Sequence, residues 1–144
     1  MSENYDPLKL ENQLCFPLYA GAKEIVRLYK PYLDPLELTY TQYIVLLLLW
    51  ERGSATVKAL GEALWLDSGT LTPVLKKLEE RGLVTRARDP RDERSVVIAL
   101  TPQGVALREQ AAQVPAQVGA CVPLSAEEAG QLYSLLHRML ERLR

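Results

Sequence analysis

The stretch from Thr56 to Thr101 leaves the chain little choice of fold, because two short amphipathic helices run directly into a charged two-stranded hairpin. Thr56 is placed to cap a helix over Val57–Leu64, with Leu60 and Leu64 on its apolar stripe. A brief turn, Leu66-Asp67-Ser68-Gly69, leads to a second helix that is predicted to run to about Arg81. Its apolar residues Leu71, Val74, Leu75 and Leu78 follow helical spacing. Gly82 sits where a helix ends in a left-handed residue. Between the apolar positions lie Thr70, Thr72, Lys76 and Lys77, which must face outward. Two helices joined by a turn, the second presenting hydroxyls and lysines, form the pattern of a helix-turn-helix.

The next segment extends this reading. Leu83–Arg88 and Ser95–Leu100 have strand composition, and the connection Asp89-Pro90-Arg91-Asp92-Glu93-Arg94 is turn-prone and charged. A hairpin tip carrying Arg91 and Arg94 beside a recognition helix is a wing, whose arginines can enter a narrow minor groove. A charged hairpin tip alone is as readily an ordinary solvated surface; the helix pair directly before it is what favours DNA contact. The reading assigns Ser68, Thr70, Thr72 and Lys76 to groove and phosphate contacts, and Lys77 to a further phosphate. Arg86 and Arg88 are expected to reach the DNA backbone. Arg94 is expected in the minor groove, with Arg91 next and Asp92 orienting an arginine by ion pairing.

These motifs together resemble the MarR family of regulators. The resemblance rests on Leu66–Pro73, Leu78–Val84, Asp89–Arg94 and the Leu100-Thr101-Pro102-Gln103-Gly104 that opens the next helix. It implies a mainly α fold with a small β-hairpin wing, in one domain over residues 1–144. The winged helix-turn-helix would occupy about 53–101, with dimerisation helices at about 5–36 and 102–144. It also implies a homodimer that represses by occupying a pseudo-palindromic double-stranded operator.

Composition is compatible, although the net charge of −1 carries no global signal for nucleic acid. The positive charge is local. From Pro73 to Arg94, Lys76, Lys77, Arg81, Arg86, Arg88, Arg91 and Arg94 face five acidic residues, Glu79, Glu80, Asp89, Asp92 and Glu93. With 144 residues and 48% hydrophobic content the chain can bury a core. Tyr43–Trp50 is apolar all round but too short to span a bilayer, so it reads as a buried helix and no membrane is expected. The N-terminal residues lack the order of a signal peptide, and a cytoplasmic location is expected.

The outer segments read as the dimerising helices. Leu14, Leu18, Ile25, Leu28 and Tyr32 have rough helical periodicity over Tyr5 to about Tyr32. Thr39 and Gln42 have capping-box spacing before a helix Tyr40–Glu51, as do Ser125 and Glu128 before a leucine-rich terminal helix. Thr101 and Pro102 occupy the favoured N-cap and first helical positions. Such apolar surface could be internal core; two-fold operator symmetry favours a partner.

The remaining chemistry lies in Cys15 and Cys121. They lack zinc-ligand spacing, and the single histidine, His137, sits in the terminal helix, so no metal or other cofactor is expected. The ordinary reading of each cysteine is a small buried hydrophobe. However, Leu10–Phe16 with Leu18-Tyr19-Ala20 resembles the N-terminal segment of the organic-hydroperoxide sensors within the family, the OhrR group. In that group two tyrosines hold the cysteine, and the positions that match are Tyr29 and Tyr40. Phenol hydroxyls can donate to a sulfur anion and favour the thiolate that attacks peroxide. Amphipathic packing is the plainer role for either tyrosine.

Geometry adds a constraint. Cys15 and Tyr29 are 14 residues apart, roughly 21 Å on one straight helix. Contact becomes simple if two copies of the helix run antiparallel across a dimer axis. Some OhrR-like proteins carry a second cysteine near the position of Cys121, in Gly119-Ala120-Cys121-Val122-Pro123. The resemblance thus implies peroxide oxidation of Cys15, condensation with Cys121 of the other subunit, release of DNA, and recovery by a thiol reductant. Pro17 departs from the pattern: either the first helix kinks at the sensor, or it begins near Pro17 and lays its N-terminus close to the sulfur. Two other functions fit parts of the chain. One is a MarR-type regulator released by a small apolar or phenolic ligand, with Cys15 a bystander. The other is a thiol peroxidase, disfavoured because no arginine or threonine arrangement surrounds Cys15 and an enzyme needs no DNA-reading half.

Overall fold

The computed structural model describes residues 5–144. Residues 1–4, over which the single-domain and signal-peptide expectations also extend, lie outside the described residues. Seven helices and a three-stranded antiparallel sheet follow in the order α1 (Cys15–Leu33), α2 (Tyr40–Arg52), β1 (Ser54–Thr56), α3 (Val57–Leu64), α4 (Ser68–Glu80), β2 (Val84–Asp89), β3 (Asp92–Leu100), α5 (Pro102–Ala111), α6 (Val114–Gly119) and α7 (Ala126–Leu143).

The expected helix from Tyr5 does not form. Residues Asp6–Leu8 and Leu10–Asn12 are separate 3-10 turns. Side-chain amides close them: Asn12 Nδ2 donates to the Asp6 carbonyl at 2.6 Å, and Gln13 Nε2 to those of Pro7 and Lys9 at 2.7 and 2.8 Å. These local bonds compete with helical ones. The helix begins at Cys15, which places Pro17 third in its first turn. A first-turn N–H has no intrahelical acceptor, so proline is accommodated there without a kink.

Thr39 and Ser125 both make the full capping box with Gln42 and Glu128. The all-round apolar α2 is the central helix, burying Tyr43, Val45, Leu46 and Leu49. Around it pack Leu33 from the end of α1 and Leu36 from the 3-10 turn that follows it, Leu60, Leu71, Leu75 and Leu78 from α3 and α4, Ile98 from β3, and Val114 and Val118 from α6.

The sheet contains a strand that the sequence reading omits. β1 pairs with β3, giving the order β1-β3-β2. Its three residues are too short to carry an alternation signal, and Thr56 serves both as its last residue and as the cap of α3. The seam between the wing and α5 closes on one residue. A Cβ at Gly104 would stand 2.1 Å from the Leu83 carbonyl oxygen. The Gly104 carbonyl accepts from the Trp50 indole at 2.9 Å. Thr101 completes the junction, accepting the Gly104 N–H and donating its hydroxyl to the Gly82 carbonyl.

α7 stands apart. It has no buried residue, and Leu132, Tyr133, Leu135 and Leu143 are 45–66% exposed. Its end reaches back through Arg144, whose guanidinium lies 3.6 Å from the Trp65 ring centroid. The first turns of α1 are equally uncovered, with Leu14, Phe16, Leu18 and Tyr19 all exposed.

Candidate nucleic-acid interface and thiol site

The recognition helix begins at Ser68, two residues earlier than the sequence suggests. Trp65 takes the left-handed conformation at φ 57°, ending α3 and turning the chain sharply. Asp67 then caps α4 by accepting from the Thr70 N–H at 2.8 Å, so Ser68 and Gly69 are helical rather than turn residues. Hydrogen bonds from the Thr70 N–H and then the Thr70 hydroxyl hold the Asp67 carboxyl below its ordinary pKa, favouring the ionised form at the helix start. Leu71, Leu75 and Leu78 are buried, which turns Ser68, Thr70, Thr72, Lys76 and Lys77 outward onto one solvent-facing surface.

The hairpin is longer and tighter than expected. Asp89 pairs with Asp92, leaving only Pro90 and Arg91 as the loop. Arg94 therefore lies on strand β3 and not in the turn, while Arg91 holds the tip. Asp92 makes no ion pair with an arginine side chain; its carboxylate accepts the Arg94 N–H at 3.0 Å, as Asp89 accepts that of Arg91 at 2.9 Å. Both aspartates brace the tip through the main chain. Arg86, Arg88, Arg91 and Arg94 are all exposed, and Arg88 donates to the Glu93 carbonyl across the hairpin.

One cation of the basic stretch is engaged elsewhere. Arg81, at the C-cap of α4, donates to the main-chain carbonyls of Leu36 and Glu37 and lies 3.8 Å from the Glu37 carboxylate. It ties the end of the recognition helix to the chain that leaves α1. A glutamate in the left-handed region, Glu37 at φ 56°, turns its carbonyl into reach.

Cys15 and Tyr29 lie on the same unbroken helix, so the roughly 21 Å between them stands within one chain. Cys15 is exposed, as the first residue of α1, at the end where unpaired N–H groups face outward. Tyr29 and Tyr40 do come together: their ring centroids are 4.8 Å apart, with Tyr43 at 5.6 Å from Tyr29 and 6.3 Å from Tyr40. Burial raises the pKa of each of the three phenols, and Tyr29 adds to the shift at Tyr40 and Tyr43. They thus keep their protons near neutral pH and remain donors. Cys121 is also exposed, just past α6, and its Sγ is 3.2 Å from the Tyr32 hydroxyl. Tyr43 and Tyr32 are missing from the sequence-derived set. Helical spacing is the signal that points to Tyr32, which stands three residues after Tyr29 on α1. Among the described residues no group of histidine, cysteine or carboxylate side chains could hold a metal ion. No helix among them is long and apolar enough to cross a membrane.

Comparison with known proteins fixes the family. Residues 38–96 match the MarR family. Over 143 residues, covering 99% of this chain and 97% of the relative, the sequence is 52% identical to the organic hydroperoxide resistance transcriptional regulator of Bacillus subtilis strain 168. The chain belongs to the MarR family. Among solved structures it is similar to reduced AbfR bound to DNA, with TM-score 0.77, 36% identity and 96% of each chain covered. It is also similar to disulfide-formed AbfR, with TM-score 0.67, 36% identity, and 96% and 94% of the two chains covered. As a MarR-family chain, it is built as a DNA-binding transcriptional regulator and not as an enzyme. The mainly helical fold with its small three-stranded sheet is the winged-helix architecture that the family resemblance implies.

Proposed function

We propose that this protein is a transcriptional repressor that occupies a two-fold operator as a reduced homodimer and leaves it when an organic hydroperoxide oxidises Cys15. The observation that carries the reading is the separation of Cys15 from Tyr29 along one helix, with Tyr40 of α2 packed against Tyr29. A second copy running antiparallel brings Cys15 of one subunit to Tyr29 and Tyr40 of the other. The exposed apolar faces of α1 and α7 supply the surface for that pairing. The protonated phenols then donate to the sulfur anion at the dimer interface.

Cys15 thiolate attacks the peroxide, breaking the O–O bond; the products are the sulfenic acid and the alcohol. Cys121 of the other subunit attacks the sulfenic sulfur, forming the disulfide and releasing water. A small thiol reductant returns both cysteines, itself becoming a disulfide. The crosslink fixes a new spacing of the two subunits, and the recognition helices no longer match the two half-sites. In the complex, Ser68, Thr70, Thr72 and Lys76 face the major groove and its phosphates, with Lys77 on a phosphate. Arg86 and Arg88 meet the backbone, and Arg94 and Arg91 meet the minor groove. Similarity to a regulator named for organic hydroperoxide resistance, and to AbfR in reduced and disulfide forms, supports this reading.

The test is binding to an operator fragment before and after stoichiometric cumene hydroperoxide, for wild type, Cys15→Ser and Cys121→Ser. Release by wild type but not by Cys15→Ser is the expected result. If wild type and Cys15→Ser both stay bound, Cys15 is ordinary surface, and a ligand-released regulator replaces this reading.

A further inference from the structure

Tyr32 and Cys121 come from distant parts of the chain, yet the phenol oxygen lies 3.2 Å from the sulfur. The same sulfur stands 3.5 Å from the Gln117 carbonyl, one turn back in α6. A carbonyl can only accept, so the thiol proton goes to Gln117 and the sulfur is left to accept from the Tyr32 hydroxyl. Packing of α6 against α1 brings the two together, and burial of Val114 and Val118 anchors α6 there. Tyr32 is half-buried, so its ring is held by the core while its hydroxyl reaches the exposed thiol.

The position of this pair is specific. Tyr29 and Tyr32 are three residues apart on α1 and therefore neighbours on one face. In the antiparallel dimer proposed above, Tyr29 holds the sulfur of Cys15 from the other subunit. The next phenol along that face holds Cys121 of its own subunit. Cys15 and Cys121 of a single chain stand at opposite ends of α1, so only the intersubunit pair can close.

We infer that Tyr32 is the positioning residue of the second redox step, stationing Cys121 beside the site where the other subunit's Cys15 is oxidised. This inference rests on the two-cysteine reading above. Tyr32 takes no part in the first step. In the second, the Cys121 sulfur forms the S–S bond, the sulfenic C–S–OH bond to oxygen breaks, and the hydroxide with the thiol proton leaves as water. The Tyr32 hydroxyl loses its sulfur partner when the disulfide forms. Tyr32 is also held above its ordinary pKa, chiefly by this hydrogen bond.

The deciding variant is Tyr32→Phe, which keeps the ring and removes one hydroxyl. The reduced proteins are treated with one equivalent of cumene hydroperoxide, and intersubunit disulfide and sulfinic acid are followed by non-reducing gel and intact mass. Expected are an unchanged rate of Cys15 oxidation, a disulfide step slowed by about fivefold, the weight of one modest hydrogen bond, and more sulfinic acid. A second readout uses the Cys15→Ser background, in which Cys121 is the only thiol. Its infrared S–H stretching band should move on Tyr32→Phe while far-UV circular dichroism does not. If wild type forms the crosslink and Tyr32→Phe forms it at the same rate with an unmoved band, the Tyr32 assignment is overturned and the two-cysteine reading stands. If wild type forms no Cys121-dependent crosslink, the two-cysteine reading fails, and the assignment falls with it.

Discussion

The Arg81 guanidinium donates to the Leu36 main-chain carbonyl at 3.1 Å and so joins the end of the recognition helix to the turn that follows α1. Its contact with Glu37 doubles the link. In the proposed mechanism α1 carries the redox signal, and this contact ties the turn that follows α1 to the end of α4. Arg81→Ala removes charge-assisted bonds to two carbonyls, a loss of about 2 kcal/mol in stability. Chemical denaturation should report that loss, and operator affinity should fall although Arg81 touches no DNA. Arg81→Lys should recover little, because a point ammonium does not span both carbonyls.

Arg94 lies on β3, its backbone fixed by Asp92, with its side chain free in solvent. Arg94→Ala is expected to weaken operator binding by about 1–3 kcal/mol and to reduce the salt dependence of the affinity. An electrophoretic or fluorescence titration over a range of salt checks both. Affinity equal to wild type at every salt concentration would move the wing contact to Arg91.

Tyr29→Phe and Tyr40→Phe each delete one hydroxyl from a ring cluster that otherwise survives. Each should fold normally, bind operator when reduced, and react with hydroperoxide several-fold more slowly, about fivefold for one donated hydrogen bond. Stopped-flow measurement of sulfenic acid formation reads this directly. Tyr43→Phe tests the third ring and should have a smaller effect, since that side chain is only 2% exposed within the core.

A pH dependence follows from Asp67. Its carboxyl is held below the ordinary value by hydrogen bonds from the Thr70 N–H and hydroxyl, so the folded form prefers the ionised state more than the unfolded chain does. The resulting stabilisation is complete above the ordinary carboxylate range. It is lost as the pH falls through the lowered folded value. Asp67→Asn keeps a cap but has no proton to gain. The stability gap between wild type and Asp67→Asn should therefore narrow on acidification, as thermal melts across the acid range would record.

The DNA-reading half was legible because its signals are local. Thr56, Thr101 and Gly82 each act within a few residues, and the structure uses Thr56 and Thr101 as caps and Gly82 at φ 73°. Where local signals compete, the reading slipped. Asn12 and Gln13 bond backward and stop α1 from extending to Tyr5. Asp67 looked like a turn residue and is a cap, and Asp92 looked like an ion-pair partner and braces the main chain. Long-range pairs were invisible: Tyr32 with Cys121 spans 89 positions and Arg81 with Leu36 spans 45. Periodicity carries no information about which two side chains meet across elements.

The missing Cβ at Gly104 sets a limit on this protein's history. At that position an alanine would drive its methyl group to within 2.1 Å of a backbone oxygen, and no side-chain rearrangement can clear it. The strand that carries the wing and the helices beyond it are thus kept in register by an absence of atoms, which substitution can only spoil. Whatever operators such a chain comes to read, or oxidants it comes to meet, change must arrive on either side of this point and leave the point itself alone.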